Sequence, residues 1–328
     1  MNILSKVPLR VSLFGGGTDM PEYFSKNQGK VLSLAINKFI YVQYRELPNY
    51  SKFKYRFIFN KTEELDSPEY SSNPVFKNIF RFKNLNKLGG EYIYQSDLPS
   101  RSGVGSSSAF VIAMLNLLAF IKFNKENKSQ SLAEDSIFFE QKILAEKVGI
   151  QDQIACSFGG FNLIKIFNDG KFKVNNLYSE NKSKIDELTS SFLIIHSNKY
   201  RYASDIEAAK SFDKIDLSYL SQAAEEGANI IKSKTSNIFE IGRLLKETWK
   251  IKKRLSNNTT TTEINDIIDI AIKNGATGGK VIGAGGGGFV LIQISEKKQK
   301  KIIDIFKRNI IHKFSCFGDK PIIQKFNV

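Results

Sequence analysis

The chain has 328 residues, 41% of them hydrophobic and 25% charged, a balance that supports one large or two medium globular domains and excludes a fibrous or disordered chain. Its formal charge of +15 raises nucleic acid as a partner, yet only nine of the 48 basic residues are arginine and the lysines are spread along the whole chain. A nucleic-acid surface gathers its charge and mixes arginine with exposed aromatic rings, so solvated lysines and a field favouring small anionic ligands are expected instead.

In chain order, the N-terminus enters strand-like sequence directly at 4–14, without the basic, apolar and cleavage segments of a secretory signal; a cytoplasmic location and no membrane partner are expected. A second strand covers 31–45, rich in Val, Ile and aromatic residues, and sharp alternation marks a third at 53–59 and a fourth at 91–95. Between the last two, 75–88 reads as a helix ended by Gly89-Gly90. A loop at 97–108 then leads into a helix at 109–123. Its apolar run, Ala109 to Ile121, is 13 residues long and contains Asn116, whereas a membrane span needs about 20, so it reads as a buried core helix. Residues 130–147 form another helix stopped by Gly149, strands follow near 161–167 and 190–197, and 204–274 is mostly helical. The chain ends as strand, glycine-rich turn, strand, helix and strand. There the cluster Lys297, Lys298, Lys300 and Lys301 opens an amphipathic segment running to Ile311, as the wet side of a surface helix. Strands of antiparallel type with segregated helices give an α+β protein. The boundary is expected at about 175–190, with units 1–180 and 181–328. The two cysteines, Cys156 and Cys316, fit a reducing compartment, with Cys156 as a small buried apolar residue. His196 and His312 have no metal-ligand spacing.

Three glycine-bearing segments carry the chemistry. The middle one holds Ser102, Gly103, Val104, Gly105, Ser106, Ser107 and Ser108 directly before the most hydrophobic helix. Glycine lets backbone approach a ligand closely, and the free amides of a helix start favour phosphate. The Gly-Lys-Ser/Thr ending of a Walker A loop is missing. A flexible loop with a serine cap explains one serine, but not two glycines and three serines against an all-apolar helix. Near the N-terminus, Gly15, Gly16, Gly17, Thr18 and Asp19 follow a strand. Near the other end, a run including Gly285 and Gly286 joins two apolar strands. Tight turns with close backbone approach explain such glycines better than a linker does. Downstream of the middle loop stand Glu140 and Asp152. Alone they read as a surface glutamate and a capping aspartate just past a helix stop. Beside a phosphate loop they suit metal binding and orientation of an attacking hydroxyl.

In this order the three segments resemble the signature motifs of the GHMP kinases, over about residues 5–295. The resemblance implies a ribosomal protein S5 domain 2-like N-terminal domain that binds ATP, a ferredoxin-like C-terminal domain, and an active site between them. It implies Asp152 as catalytic aspartate, with Arg10 beside it to stabilise developing charge, and Ser107 and Glu140 as ligands of Mg2+. It also places 102–108 on the ATP phosphates and Gly15 to Asp19, Gly285 and Gly286 at the substrate.

Galactokinases carry Gly-Glu-His where this chain has Gly15-Gly16-Gly17, and losing that carboxylate suits an anionic acceptor. The wording Phe-Gly-Gly-Gly-Thr-Asp, with Val-Gly-Ile-Gln-Asp-Gln, is similar to the D-glycero-D-manno-heptose 7-phosphate kinases. These phosphorylate the anomeric hydroxyl of a sugar phosphate, on the way to nucleotide-activated heptose and cell-surface polysaccharide. Arg201 falls where that group has an arginine before Ala-Ser, which suits a bidentate grip on the substrate phosphate; a surface arginine at a helix start is the alternative. The rival readings are a fucokinase-like sugar kinase, a nucleic-acid-binding protein, and an inactive relative acting as a sensor.

Overall fold

A computed structural model describes residues 1–85, 88–199, 217–254 and 257–326. In chain order its strands are β1 (Asn2–Phe14), β2 (Gly29–Arg45), β3 (Tyr55–Ile58), β4 (Thr62–Leu65), β5 (Gly90–Ser96), β6 (Phe161–Ile166), β7 (Phe172–Asn176), β8 (Phe192–His196), β9 (Gly278–Val281), β10 (Phe289–Gln293), β11 (Ile311–His312) and β12 (Ile322–Phe326). They form two sheets. The first runs β12-β1-β2-β5-β3-β4, with β6 beside the early half of β2 and β7 on the far side of β6. The second runs β11-β8-β10-β9, all antiparallel. Numbered within that sheet, the order is fourth, first, third, second, and helices connect its first to second and third to fourth strands. This is the ferredoxin-like arrangement.

The sheets divide between β7 and β8, but the last strand departs from the expected 181–328 unit. β12 leaves the second sheet and pairs with β1, from Asn2 opposite Phe326 to Lys6 opposite Ile322. The pairing covers an edge of β1 that would otherwise expose its backbone groups. Both layers also share one core, in which Phe14, Leu32 and Ile112 pack in a single cluster with Phe192, Ile194, Leu244 and Phe289.

At the centre lies the helix Ser106–Phe123, long and apolar enough to cross a membrane by length and composition, with 67% of it buried inside the protein. It packs against β1 and β2 as a core helix. It begins three residues earlier than expected, so the three serines belong to its first turn rather than to the loop. Other boundaries move for local reasons. The 75–88 helix is Pro74–Phe82: Asn73 caps it by accepting from the Val75 and Phe76 amides, and Asn84 at φ 54° ends it ahead of the glycines. The 130–147 helix stops at Phe138 and continues as one π-helical turn, Phe139–Ile143, before Ala145 at φ 53° breaks it. On the helix Glu296–Ile305, Lys297, Lys298, Lys300 and Lys301 are exposed while Gln299 and Ile302 are buried, the wet and dry faces expected.

The middle and last glycine turns pack backbone to backbone. A Cβ on Gly103 would overlap the Ile282 carbonyl, and one on Gly288 would overlap the Ser102 carbonyl. The same Ser102 oxygen accepts from the Phe289 amide at 3.0 Å. Gly288→Ala, at φ +79° with no room, should cost about 2–4 kcal/mol of stability from backbone strain plus displacement. Gly170→Ala, at φ +80° with its nearest neighbour 3.7 Å away, should cost about 1–2 kcal/mol from strain alone. Thermal melts of the two variants test the contrast; equal losses would mean that the contact between the turns contributes nothing.

Candidate functional site

The site is assembled around Arg10 of β1. The register between β1 and β2 shifts at Pro8/Leu9 and again at Ser12/Phe14, and irregularities of this kind re-aim side chains. The Arg10 amide donates to the Val104 carbonyl at 3.0 Å. Its guanidinium donates from Nε to Asp152 Oδ1 at 2.7 Å, from Nη2 to Asp152 Oδ2 at 2.5 Å, and from Nη1 to the Gly103 carbonyl. Burial works to lower the Arg10 pKa, but the charge and hydrogen bonds of Asp152 outweigh it and hold it above its ordinary value. Asp152 itself is one-quarter exposed. It lies past the stop of the preceding helix, as expected, but within the first turn of a further helix, Gln151–Phe158.

Glu140 sits in the π-helical turn, a local irregularity frequent at functional sites. Its Oε2 accepts from the Ser108 hydroxyl at 3.0 Å and from the Gln153 side-chain amide at 2.9 Å, whereas Oε1 is buried with no hydrogen-bond partner among the described residues. Burial first, and then the neighbouring Glu146 carboxylate, push the Glu140 pKa up to about 8. The sequence expectation joined Glu140 to Ser107. The structure brings Ser108 to Glu140 instead and leaves Ser107 exposed on the same helical turn. A buried carboxylate with an oxygen lacking any donor is costly, and a hard divalent cation fits it chemically. No group of three or more His, Cys, Asp or Glu gathers around a point among the described residues, so a cation there would take its other ligands from a serine hydroxyl, phosphate or water.

The remaining motif residues divide into frame and face. Ser102 is fully buried and its hydroxyl donates to the Pro99 carbonyl. Val104 is also fully buried, and the two shape the loop from behind. Gly105 caps the helix at φ 75°, and the amides that follow it have no acceptor within the helix. In the first glycine turn, Thr18 Oγ1 donates to the Gly15 carbonyl at 2.8 Å. The Asp19 carboxylate, 2% exposed, accepts from the Gly17 amide at 2.8 Å and the Gln151 amide at 3.3 Å. Asp19 therefore ties the turn to the start of the Asp152 helix, while Thr18 braces it from within and against Lys30 of β2. Gly286 likewise donates its amide to the Thr259 carbonyl at 2.8 Å, and a Cβ on Gly285 would press on the same residue. Arg201 lies outside the described residues. Cys156, fully buried beneath Gly105, has its thiol pushed well above its ordinary pKa by burial, in keeping with its expected apolar role.

Sequence reasoning missed Gln153, which holds Glu140, and two buried lysines. Lys280 on β9 donates to the Ser12 and Leu13 carbonyls at 3.0 and 2.8 Å, joining the sheets. Lys252 ends the helix Glu240–Lys252 and donates to the Gly283 carbonyl at 3.2 Å. A signal for it was legible: Ile241, Leu245, Thr248 and Lys252 share one buried helix face, and a lysine on an apolar stripe needs a reason.

Comparison with known proteins gives the family. Residues 73–160 match the family described as GHMP kinases N terminal domain, and 208–312 match GHMP kinases C terminal. The chain is 30% identical over 324 residues to the D-glycero-alpha-D-manno-heptose 7-phosphate kinase of Campylobacter jejuni subsp. jejuni, covering 93% of each. This protein belongs to the GHMP kinases. It is also 27% identical over 245 residues to the mevalonate kinase of Methanocaldococcus jannaschii, covering 74% of each. The crystal structure of a D-glycero-D-manno-heptose 1-phosphate kinase from Bacteroides thetaiotaomicron superimposes with a TM-score of 0.79 at 23% identity, over 99% of this chain and 100% of the other, and shares its fold.

In this GHMP kinase a raised carboxylate pKa favours the protonated native state. The contribution of Glu140 to stability is present at low pH and lost as pH rises toward about 8. In a chelator, Glu140→Gln should therefore become more stable than the wild type as pH rises from about 5 to about 8, by on the order of 2–4 kcal/mol. Thermal melts across that range check it, and a difference independent of pH would contradict it.

Proposed function

We propose that the protein transfers the γ-phosphoryl group of ATP to the anomeric hydroxyl of a sugar phosphate, with D-glycero-D-manno-heptose 7-phosphate giving the 1,7-bisphosphate, in the cytoplasm. The observation that carries this reading is the meeting of Arg10, Gly103 and Asp152 at one guanidinium. Residues from a strand, a phosphate-type loop and a helix start converge there.

Phosphoryl transfer asks for positioning and charge stabilisation more than for covalent chemistry by the protein. The amides of 106–108 and the Ser106 and Ser107 hydroxyls would cradle the nucleotide phosphates. Glu140, with a serine of the same helical turn, would hold Mg2+, which when bound neutralises charge on those phosphates. Asp152 takes or orients the proton of the acceptor hydroxyl, and its partial exposure leaves it open to substrate. Arg10 grips both carboxylate oxygens, fixing their direction, and its positive charge faces the centre where negative charge develops. The choice of acceptor rests on Gly16, which stands where galactokinases carry glutamate, and on the likeness to the Campylobacter heptose 7-phosphate kinase.

Asp152→Asn should retain ATP binding by calorimetry and lower kcat by on the order of a thousandfold; near-normal turnover would remove Asp152 from the mechanism. In a coupled assay heptose 7-phosphate should outcompete galactose, fucose and mevalonate as acceptor. Faster turnover of an unphosphorylated acceptor would overturn the substrate assignment.

A further inference from the structure

Lys252 is 6% exposed. The neighbouring Lys250 and Lys253 are exposed and complement the negative end of their helix, while the Lys252 Nζ donates to the Gly283 carbonyl at 3.2 Å. Its Nζ lies 3.2 Å from the point where a Cβ on Gly16 would sit, and Gln151 Nε2 lies 3.5 Å from that same point. The Gln151 side chain is oriented by the Ser12 hydroxyl, which donates to Gln151 Oε1 at 2.7 Å. That turns the amide NH2 toward Gly16. Gln151 immediately precedes Asp152, so a cation and an oriented neutral donor face one spot beside the catalytic carboxylate. Gly16 puts no side chain there.

We propose that Lys252 Nζ and Gln151 Nε2 form the subsite for the anionic phosphate group already carried by the acceptor, and that Gly16 is glycine to leave that subsite unfilled. This deepens the acceptor assignment above and rests on it. The ammonium brings a positive charge and the amide two N–H donors, and a charge-assisted hydrogen bond to phosphate is roughly twice as strong as a neutral one. A glutamate at 16 would place its carboxylate on Lys252 and neutralise the subsite. One residue would thereby separate a site for neutral sugars from a site for sugar phosphates. A phosphate held here could also belong to the nucleotide, and the kinetics distinguish the two sources.

The test is steady-state kinetics of the full-length protein with ATP and either heptose 7-phosphate or free heptose. Lys252→Met should raise KM for heptose 7-phosphate about ten- to a hundredfold, change KM for ATP far less, and lower the preference for phosphorylated over free sugar by the same factor. Lys252→Arg should recover most of that preference. A rise confined to KM for ATP would assign the lysine to the nucleotide, and equal losses on both sugars would assign it a structural role; either overturns the proposal. Should Lys252→Met fail to fold, Gly16→Glu carries the test. It should lower the same preference, and an intact preference overturns the subsite. A wild-type enzyme that prefers free sugars would sink the acceptor assignment itself. A wild type that prefers the phosphate, with variants that do likewise, would sink only the role of Lys252.

Discussion

A single buried guanidinium organises this molecule. Arg10 is 3% exposed, and a cation so deeply withdrawn from water is tolerated only when it is paired and its donors are satisfied. The partners lie 93 and 142 residues further along the chain, at Gly103 and Asp152. The fold therefore cannot accept Arg10 without also bringing the 102–108 loop and the Asp152 helix against β1. Stability of the core and assembly of the site are one requirement here, and this is why the geometry is defined before any ligand arrives.

Around that centre the structure uses backbone rather than side chains to set distances. The middle loop touches the last glycine turn so closely that Gly103 and Gly288 each lack room for a methyl group, and Lys280 ties β9 to the carbonyls of Ser12 and Leu13. Those contacts hold the ferredoxin-like sheet against the larger one beside Arg10. The first glycine turn is anchored in the same manner, through Asp19 to the amide of Gln151. Among the described residues, Thr18, Asp19 and Gly286 make such supporting contacts, while Ser107 is exposed and Asp152 is one-quarter exposed.

What could be read from sequence follows from that division. Glycines between apolar strands, serines at the mouth of an all-apolar helix and a glutamate upstream of an aspartate are local patterns with local physics, and the structure places them in one region. Helical phase was harder to read. Whether Ser107 or Ser108 meets Glu140 depends on a π-helical turn that no periodicity announces. The inward direction of Thr18 and Asp19 depends on Lys30 and Gln151, which are brought there by tertiary structure alone. The return of β12 to β1 is a pairing of the two chain ends, invisible to any local window. Lys252 broke an apolar stripe and was legible in principle, but its meaning required Gly16 to be seen beside it.

The most direct measurement is a crystal structure of the protein with a non-hydrolysable ATP analogue, Mg2+ and heptose 7-phosphate. The account predicts the anomeric oxygen within about 2.6–3.2 Å of the Asp152 carboxylate, with the nucleotide phosphates over the first turn of the serine-bearing helix. An acceptor bound away from Asp152, or nucleotide phosphates remote from that helix start, would contradict it.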